Sequence, residues 1–268
     1  MISSIRRSAL IFFGLVFALS IPFWAAGALM TGQLLPALPI SALGFICPSV
    51  AAAILVYRAN GWAGVSALLK RSFDFKRIGR KAWLLPLVFL QPVIMALSFI
   101  VMRLTGVSVP LPQFSVWSAL ALFVIFFIAG LGEELGWSGY VTDPLQDRLG
   151  ALWASLLLGV VWAVWHYIPL LQVPRSWEFI AWWSLGTLTS RVIIVWLYNN
   201  TGRSVFAAAV FHAMINLTWQ LFPVNGSYYD PRMTSLITAI VAVVVVIVWG
   251  APTLVRVKKR NFTGCEDV

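Results

Sequence analysis

The chain has 268 residues, of which 60% are hydrophobic and only 10% charged, with fourteen tryptophans and a formal net charge of +10. That composition excludes an ordinary soluble domain and describes a polytopic membrane protein. The basic residues cluster between apolar runs, so the charge points to membrane orientation and anionic lipid rather than to nucleic acid.

The length allows about eight spans of about 20 residues and leaves no room for a soluble domain. The expected fold is all-α, a single transmembrane bundle over 1–268, with spans near 8–30, 35–57, 82–102, 115–140, 151–171, 178–198, 204–222 and 234–255. Arg6 and Arg7 precede an apolar run from Ser8 to Met30 that is longer than a signal-peptide core, so it reads as a retained first span. With the N-terminus inside, one face collects Arg6, Arg7, Arg58, Lys70, Arg71, Lys76, Arg77, Arg80, Lys81, Arg148, Arg203, Arg256, Lys258, Lys259 and Arg260. The other face has Arg103, Arg175 and Arg232, which places both termini on the cytoplasmic side. Cys47 and Cys265 form no CxxC pair, so neither a disulfide framework nor a cysteine-based zinc site is expected.

The 58–81 segment reads as the one sizeable cytoplasmic loop, basic and solvated, with Phe73-Asp74-Phe75 as a candidate for lying on the headgroups. The fourth span carries no charge from Ser115 until Glu133 and Glu134. Two adjacent carboxylates at membrane depth are costly facing lipid, by about 2.5–3.5 kcal/mol each on insertion scales, so they imply a polar, protein-lined cavity. Gly132 and Gly136 offer a small face for a neighbouring helix, and Glu134 and Ser138 share one face. Asp143-Pro144 is expected to end this helix.

The fifth span stacks Trp162 over His166, and Pro169 should kink or end it beside the histidine. The sixth contains Arg191, a guanidinium that cannot stand alone in hydrocarbon. The seventh places His212 and Asn216 four apart, behind Ala207, Ala208 and Ala209, which allow close helix contact. The two histidines of the chain therefore both lie in spans.

A carboxylate can take a proton from water, an imidazole can hold that water or relay its proton, and an amide can donate to a developing oxyanion. Two histidines and a glutamate also suffice as protein ligands for a catalytic zinc, here Glu133, His166 and His212, although HExxH is absent. The chemistry indicated is hydrolysis by activated water, with an amide bond as the plausible target.

These residues resemble the signature of the CPBP family, the CAAX proteases and bacteriocin-processing enzymes: EExxxR, FxxxH and HxxxN on successive motif helices. Glu133-Glu134 is similar to the first motif, Trp162 and His166 to the second with Trp for Phe, and His212 with Asn216 to the third. The stretch Leu197-Tyr198-Asn199-Asn200-Thr201-Gly202 also looks like that of bacterial members, and the resemblance spans roughly 115–222, the expected catalytic core.

The resemblance implies an intramembrane endopeptidase in a bacterial cytoplasmic membrane, acting on a peptide or membrane-anchored protein. Glu133 would activate water with His166, and His212 and Asn216 would hold a metal or the oxyanion. Both zinc and glutamate-type mechanisms have been described for the family. Ser138 stands where the motif has arginine, which leaves Glu134 without that partner; Arg191, at comparable depth, is expected to replace it. The alternatives are a scaffold or bacteriocin-immunity protein that has lost turnover, and a proton-coupled transporter whose glutamates and histidines form a relay.

Overall fold

The computed structural model of the chain describes residues 2–30, 32–227 and 229–256. Lys258, Lys259, Arg260 and Cys265 lie outside the described residues. The architecture is an all-α bundle: α1 (Ile2–Leu29), α2 (Cys47–Lys70), α3 (Leu84–Leu104), α4 (Val116–Gly136), α5 (Asp143–Leu149), α6 (Ala151–Leu171), α7 (Trp177–Asn200), α8 (Val205–Leu221) and α9 (Pro231–Trp249). Among the described residues, seven helical segments are long and apolar enough to cross a membrane. Large apolar side chains stand exposed along them, among them Leu10, Leu85, Phe89, Ile125, Ile128, Ile240 and Ile247, as lipid contact requires.

The expected span at 204–222 is the exception. As α8 it has 17 residues, about 25 Å at 1.5 Å per residue, short of a hydrocarbon core of about 30 Å. It can be short because it sits inside the bundle: Ala207 through Met214 are buried without a break. Its partner at the centre is α7, where Ser190 through Tyr198 are continuously buried. These two stretches are buried without a break, so polar groups placed on them meet protein rather than lipid.

Two expectations about the second span and the segment after it are corrected. The second span does not occupy 35–57 with a loop after it. Gln33–Leu35 and Leu38–Pro39 form a small antiparallel hairpin, Ile40–Ile46 is a 3-10 helix, and α2 then runs on to Lys70. Gly61, at φ +62°, breaks its direction in a conformation that costs glycine little. The Arg71–Arg77 stretch is a 3-10 helix docked on the bundle, not a solvated loop. Asp74 accepts hydrogen bonds from Ser204 Oγ and from the backbone N–H groups of Val205 and Phe206, so it caps the N-terminus of α8, where unpaired N–H groups need an acceptor. Phe73 and Phe75 point outward, 70% and 51% exposed.

The fourth span, likewise, does not end at Asp143-Pro144. After α4 a π-helical stretch, Trp137–Thr142, leads straight into α5, where Pro144 sits in the first turn. Thr142 Oγ1 donates to Trp137 O at 2.7 Å and Arg71 Nη1 to Gly139 O at 2.6 Å, satisfying carbonyls within the stretch. The small face on α4 is used as expected. A Cβ on Gly132 would meet Phe45, and one on Gly136 would overlap Pro48, so the start of α2 lies directly against it. Pro169 does not end α6 beside His166; the helix reaches Leu171.

Candidate active site

The continuation of α4 into α5 determines where the carboxylates lie. Glu133 and Glu134 fall midway along one continuous helical rod, roughly 24 Å from its end at Leu149 by the 1.5 Å rise. They therefore reach the depth of the histidines, although the sequence alone places Glu133 close to the cytoplasmic end.

Glu134 is fully buried and fully engaged. Arg191 Nη1 donates to both its oxygens at 3.0 Å. Ser138 donates to Oε2 from one turn further along the same rod. His212 Nδ1 lies 3.0 Å from Oε1. A carboxylate that already accepts from a guanidinium and a hydroxyl has only lone pairs to offer the ring, so Nδ1 carries the proton of this bond. In the neutral imidazole that leaves a lone pair on Nε2.

Glu133 is 5% exposed and held differently. Its Oε2 accepts from Trp162 Nε1 at 2.7 Å and, more loosely, from Trp137 Nε1 at 3.3 Å. Its Oε1 faces His212 Nε2 at 3.8 Å, too long for a hydrogen bond. One oxygen is thus pinned and the other is left open beside an imidazole lone pair. The indole bond is a contribution that the sequence reading missed. Trp162 replaces the motif's phenylalanine, and an indole N–H can donate where a phenyl ring cannot.

His166 does not join this pair. Its Nδ1 donates to the Trp162 carbonyl at 2.8 Å, and its ring packs edge-on against Trp162 and Trp165, with centroids at 5.5 and 4.7 Å. Its Nε2 is accordingly the free atom. Glu133, His166, His212 and Asn216 all line one cavity of about 460 Å³, whose walls are mostly apolar and aromatic, with Trp24, Phe45, Phe126, Trp183 and Trp219 among them. A mostly apolar cavity with a few converging polar groups is the usual form of a ligand site.

A catalytic zinc is the cofactor that the sequence allows. Glu133, His166 and His212 have the right chemistry, two imidazole nitrogens and a carboxylate. As placed, no three His, Cys, Asp or Glu side chains among the described residues are grouped so as to hold a metal ion. The set does not fit a metal centre, and no step below is routed through one. Arg191 completes the inventory. Its guanidinium, wholly buried, lies 4.2 Å above the Trp162 ring, so the same indole serves Glu133 with its edge and Arg191 with its face.

Comparison with known proteins agrees with the motifs. Residues 115–218 match the family model described as type II CAAX prenyl endopeptidase Rce1-like. The chain is 28% identical over 247 residues to CAAX prenyl protease 2 of Methanococcus maripaludis, covering 84% of this chain and 89% of that protein. It is 27% identical over 212 residues to lysostaphin resistance protein A of Staphylococcus aureus, covering 74% of this chain but 47% of that protein. The chain thus spans about half the length of its staphylococcal relatives.

Proposed function

We propose that this chain, a member of the Rce1-like family, is an intramembrane endopeptidase that hydrolyses a peptide bond with water activated by Glu133 and His212. The observation that carries the reading is the 3.8 Å gap between Glu133 Oε1 and His212 Nε2 at the wall of the cavity. Both atoms are acceptors, and a water between them donates one hydrogen to each. Its oxygen lone pair is then free to attack a carbonyl carbon in the cavity. Glu133 takes the proton and returns it to the leaving amine nitrogen, so the carboxylate is regenerated when the peptide bond has broken. Glu134, fixed by Arg191 and Ser138, keeps His212 in the tautomer this requires, as a buried carboxylate does for a catalytic imidazole elsewhere. Asn216 is the amide available to the tetrahedral oxyanion.

The sequence-level pairing of Glu133 with His166 is replaced in this mechanism by Glu133 with His212; His166 borders the cavity as a further imidazole for the substrate or the leaving group. The substrate class is a peptide or membrane-anchored protein, in a bacterial cytoplasmic membrane with both termini on the cytoplasmic side. The test is peptide cleavage by purified protein in detergent. Glu133→Gln keeps the shape and removes the base, and should lower kcat by at least about 10²-fold, the lower end for a lost general base. Cleavage by Glu133→Gln at the wild-type rate would overturn the mechanism, and no cleavage by wild type of any membrane-anchored peptide would favour the immunity or scaffold reading.

A further inference from the structure

Gln91 lies on α3, which is otherwise apolar apart from Ser98 and the terminal Arg103. It is 5% exposed, lines the same cavity as Glu133 and His212, and its Oε1 has no hydrogen-bond partner among the described residues. An unpartnered carboxamide at membrane depth is destabilising, and buried polar groups in native proteins are otherwise almost always paired. Nothing in the mechanism above uses it.

The hydroxyls that line the same cavity narrow what it can bind. Thr187 donates to Trp183 O at 3.0 Å, Ser235 to Trp182 O at 2.7 Å, Thr238 to Thr234 O at 2.7 Å and Thr234 to Asp230 O at 3.3 Å. Each has committed its proton to a helix carbonyl, and each lines the cavity, so this wall presents lone pairs rather than donors. Leu34, Leu38, Leu43 and Phe126 line the same cavity and make much of the rest of its wall apolar. An occupant that suits both kinds of wall is apolar along most of its length and carries N–H groups on one edge. That is the description of an extended peptide with aliphatic side chains. The carboxamide of Gln91 turns about a soft terminal torsion and can both accept an N–H and donate to a carbonyl, which are the two hydrogen-bonding groups of a peptide unit.

We infer that Gln91 and the hydroxyl-bearing wall of α7 and α9 form a subsite that binds a backbone amide of the substrate, at a peptide unit other than the one cleaved. Gln91 is then a binding and positioning residue, and its role rests on the cavity being a peptide site. In energetic terms it removes the orphan status of the carboxamide only when substrate is present, so the binding energy is realised where register along the peptide is set.

The test measures binding without turnover. The full chain carrying Glu133→Gln, in detergent micelles, is titrated with N-acetyl-tetraleucine methyl ester and with the depsipeptides in which one amide N–H at a time is replaced by an ester oxygen. Quenching of intrinsic tryptophan fluorescence reports occupancy, since five cavity-lining residues, Trp24, Trp162, Trp165, Trp183 and Trp219, are indoles. One of the ester replacements should weaken binding about ten-fold, the size of one lost buried hydrogen bond. Adding Gln91→Leu, or Gln91→Met if the first variant does not fold, should abolish that difference, so that amide and ester bind alike. Retained ten-fold discrimination in the Gln91 variants would overturn the inference, as would absence of saturable binding by the all-amide peptide. Because no bond is cleaved in the assay, Gln91-dependent discrimination in a protein that never cuts peptides would count against the peptidase reading alone. Cleavage by wild type without such discrimination would count against the subsite alone.

Discussion

Replacing Arg191 with methionine removes the guanidinium and keeps most of the side-chain volume. Both partners of the Arg191–Glu134 pair are fully buried, and one nitrogen lies 3.0 Å from each carboxylate oxygen. Burial keeps bulk solvent from screening the pair or taking over the hydrogen bonds of a stranded carboxylate. Breaking such a pair by deleting one member typically costs about 3–5 kcal/mol, because the remaining charge is left uncompensated. Loss of the guanidinium from the face of Trp162 adds up to about 2 kcal/mol in a desolvated setting. Arg191→Met should therefore lower unfolding free energy by roughly 3–7 kcal/mol, measured by denaturant titration in mixed micelles. The double variant Arg191→Met with Glu134→Gln removes both charges, and at least half of the loss should return. Ser138→Arg in an Arg191→Ala background should also recover part of it, since it restores a cation one turn from Glu134 on its own helix. A single substitution costing less than about 1 kcal/mol, the range of an exposed ion pair, would refute the reasoning. Strict additivity in the double variant would refute it as well.

Trp162→Phe keeps the ring against His166 and Arg191 but deletes the N–H that pins Glu133 Oε2 at 2.7 Å; kcat should fall about ten-fold with KM little changed, and a wild-type kcat would show that the pinning is immaterial. Activity should survive exhaustive treatment with a zinc chelator, because the donors are not grouped as a metal centre; loss of cleavage that returns with added zinc would replace the carboxylate–water mechanism by a metal-assisted one.

The helical bundle was legible because membrane burial writes itself as long apolar runs. The span from 151 to 171 was located to the residue, while the charged ends of others were not. The fourth span was misjudged at its end: Asp143-Pro144 reads as a stop, but the rod continues through Pro144, and Arg71 donates to the Gly139 carbonyl where the proline has no N–H to give. The π stretch before it depends on Arg71, from a distant segment, reaching Gly139 O, and no local pattern reports that. The same holds for Asp74: its role as cap of α8 comes from a contact 130 residues away in sequence. At the site, the polar residues were visible because each is an anomaly in an apolar run. Which of them would meet was not, and His212 stands by Glu133 where His166 had been expected. Gln91 went unread because one carboxamide before a proline in an apolar span resembles a tolerated polar residue until its lack of a partner is seen.

The two departures from the family motif are one change seen from two sides. With serine at 138, the cation for Glu134 comes from α7, and a guanidinium arriving there crosses the space beside the second motif's aromatic residue. Its Cζ lies 4.2 Å from the centre of the Trp162 ring. An indole gives a cation a stronger face than phenyl does, so tryptophan at 162 suits an arginine at 191 better than the motif's phenylalanine would. The same substitution supplies the N–H that fixes Glu133. Arg191, Trp162, Glu133, His212 and Glu134 thereby form a closed circuit of contacts: guanidinium over indole, indole to the first carboxylate, that carboxylate facing the imidazole, imidazole to the second carboxylate, and back to the guanidinium. Every link but one is closed at bonding distance or in stacking contact. The open link, 3.8 Å between Glu133 Oε1 and His212 Nε2, is the place the proposed mechanism gives to the water. The cation that the motif places on the helix of Glu134 is supplied here from α7, and the gap that the proposed mechanism uses stays open.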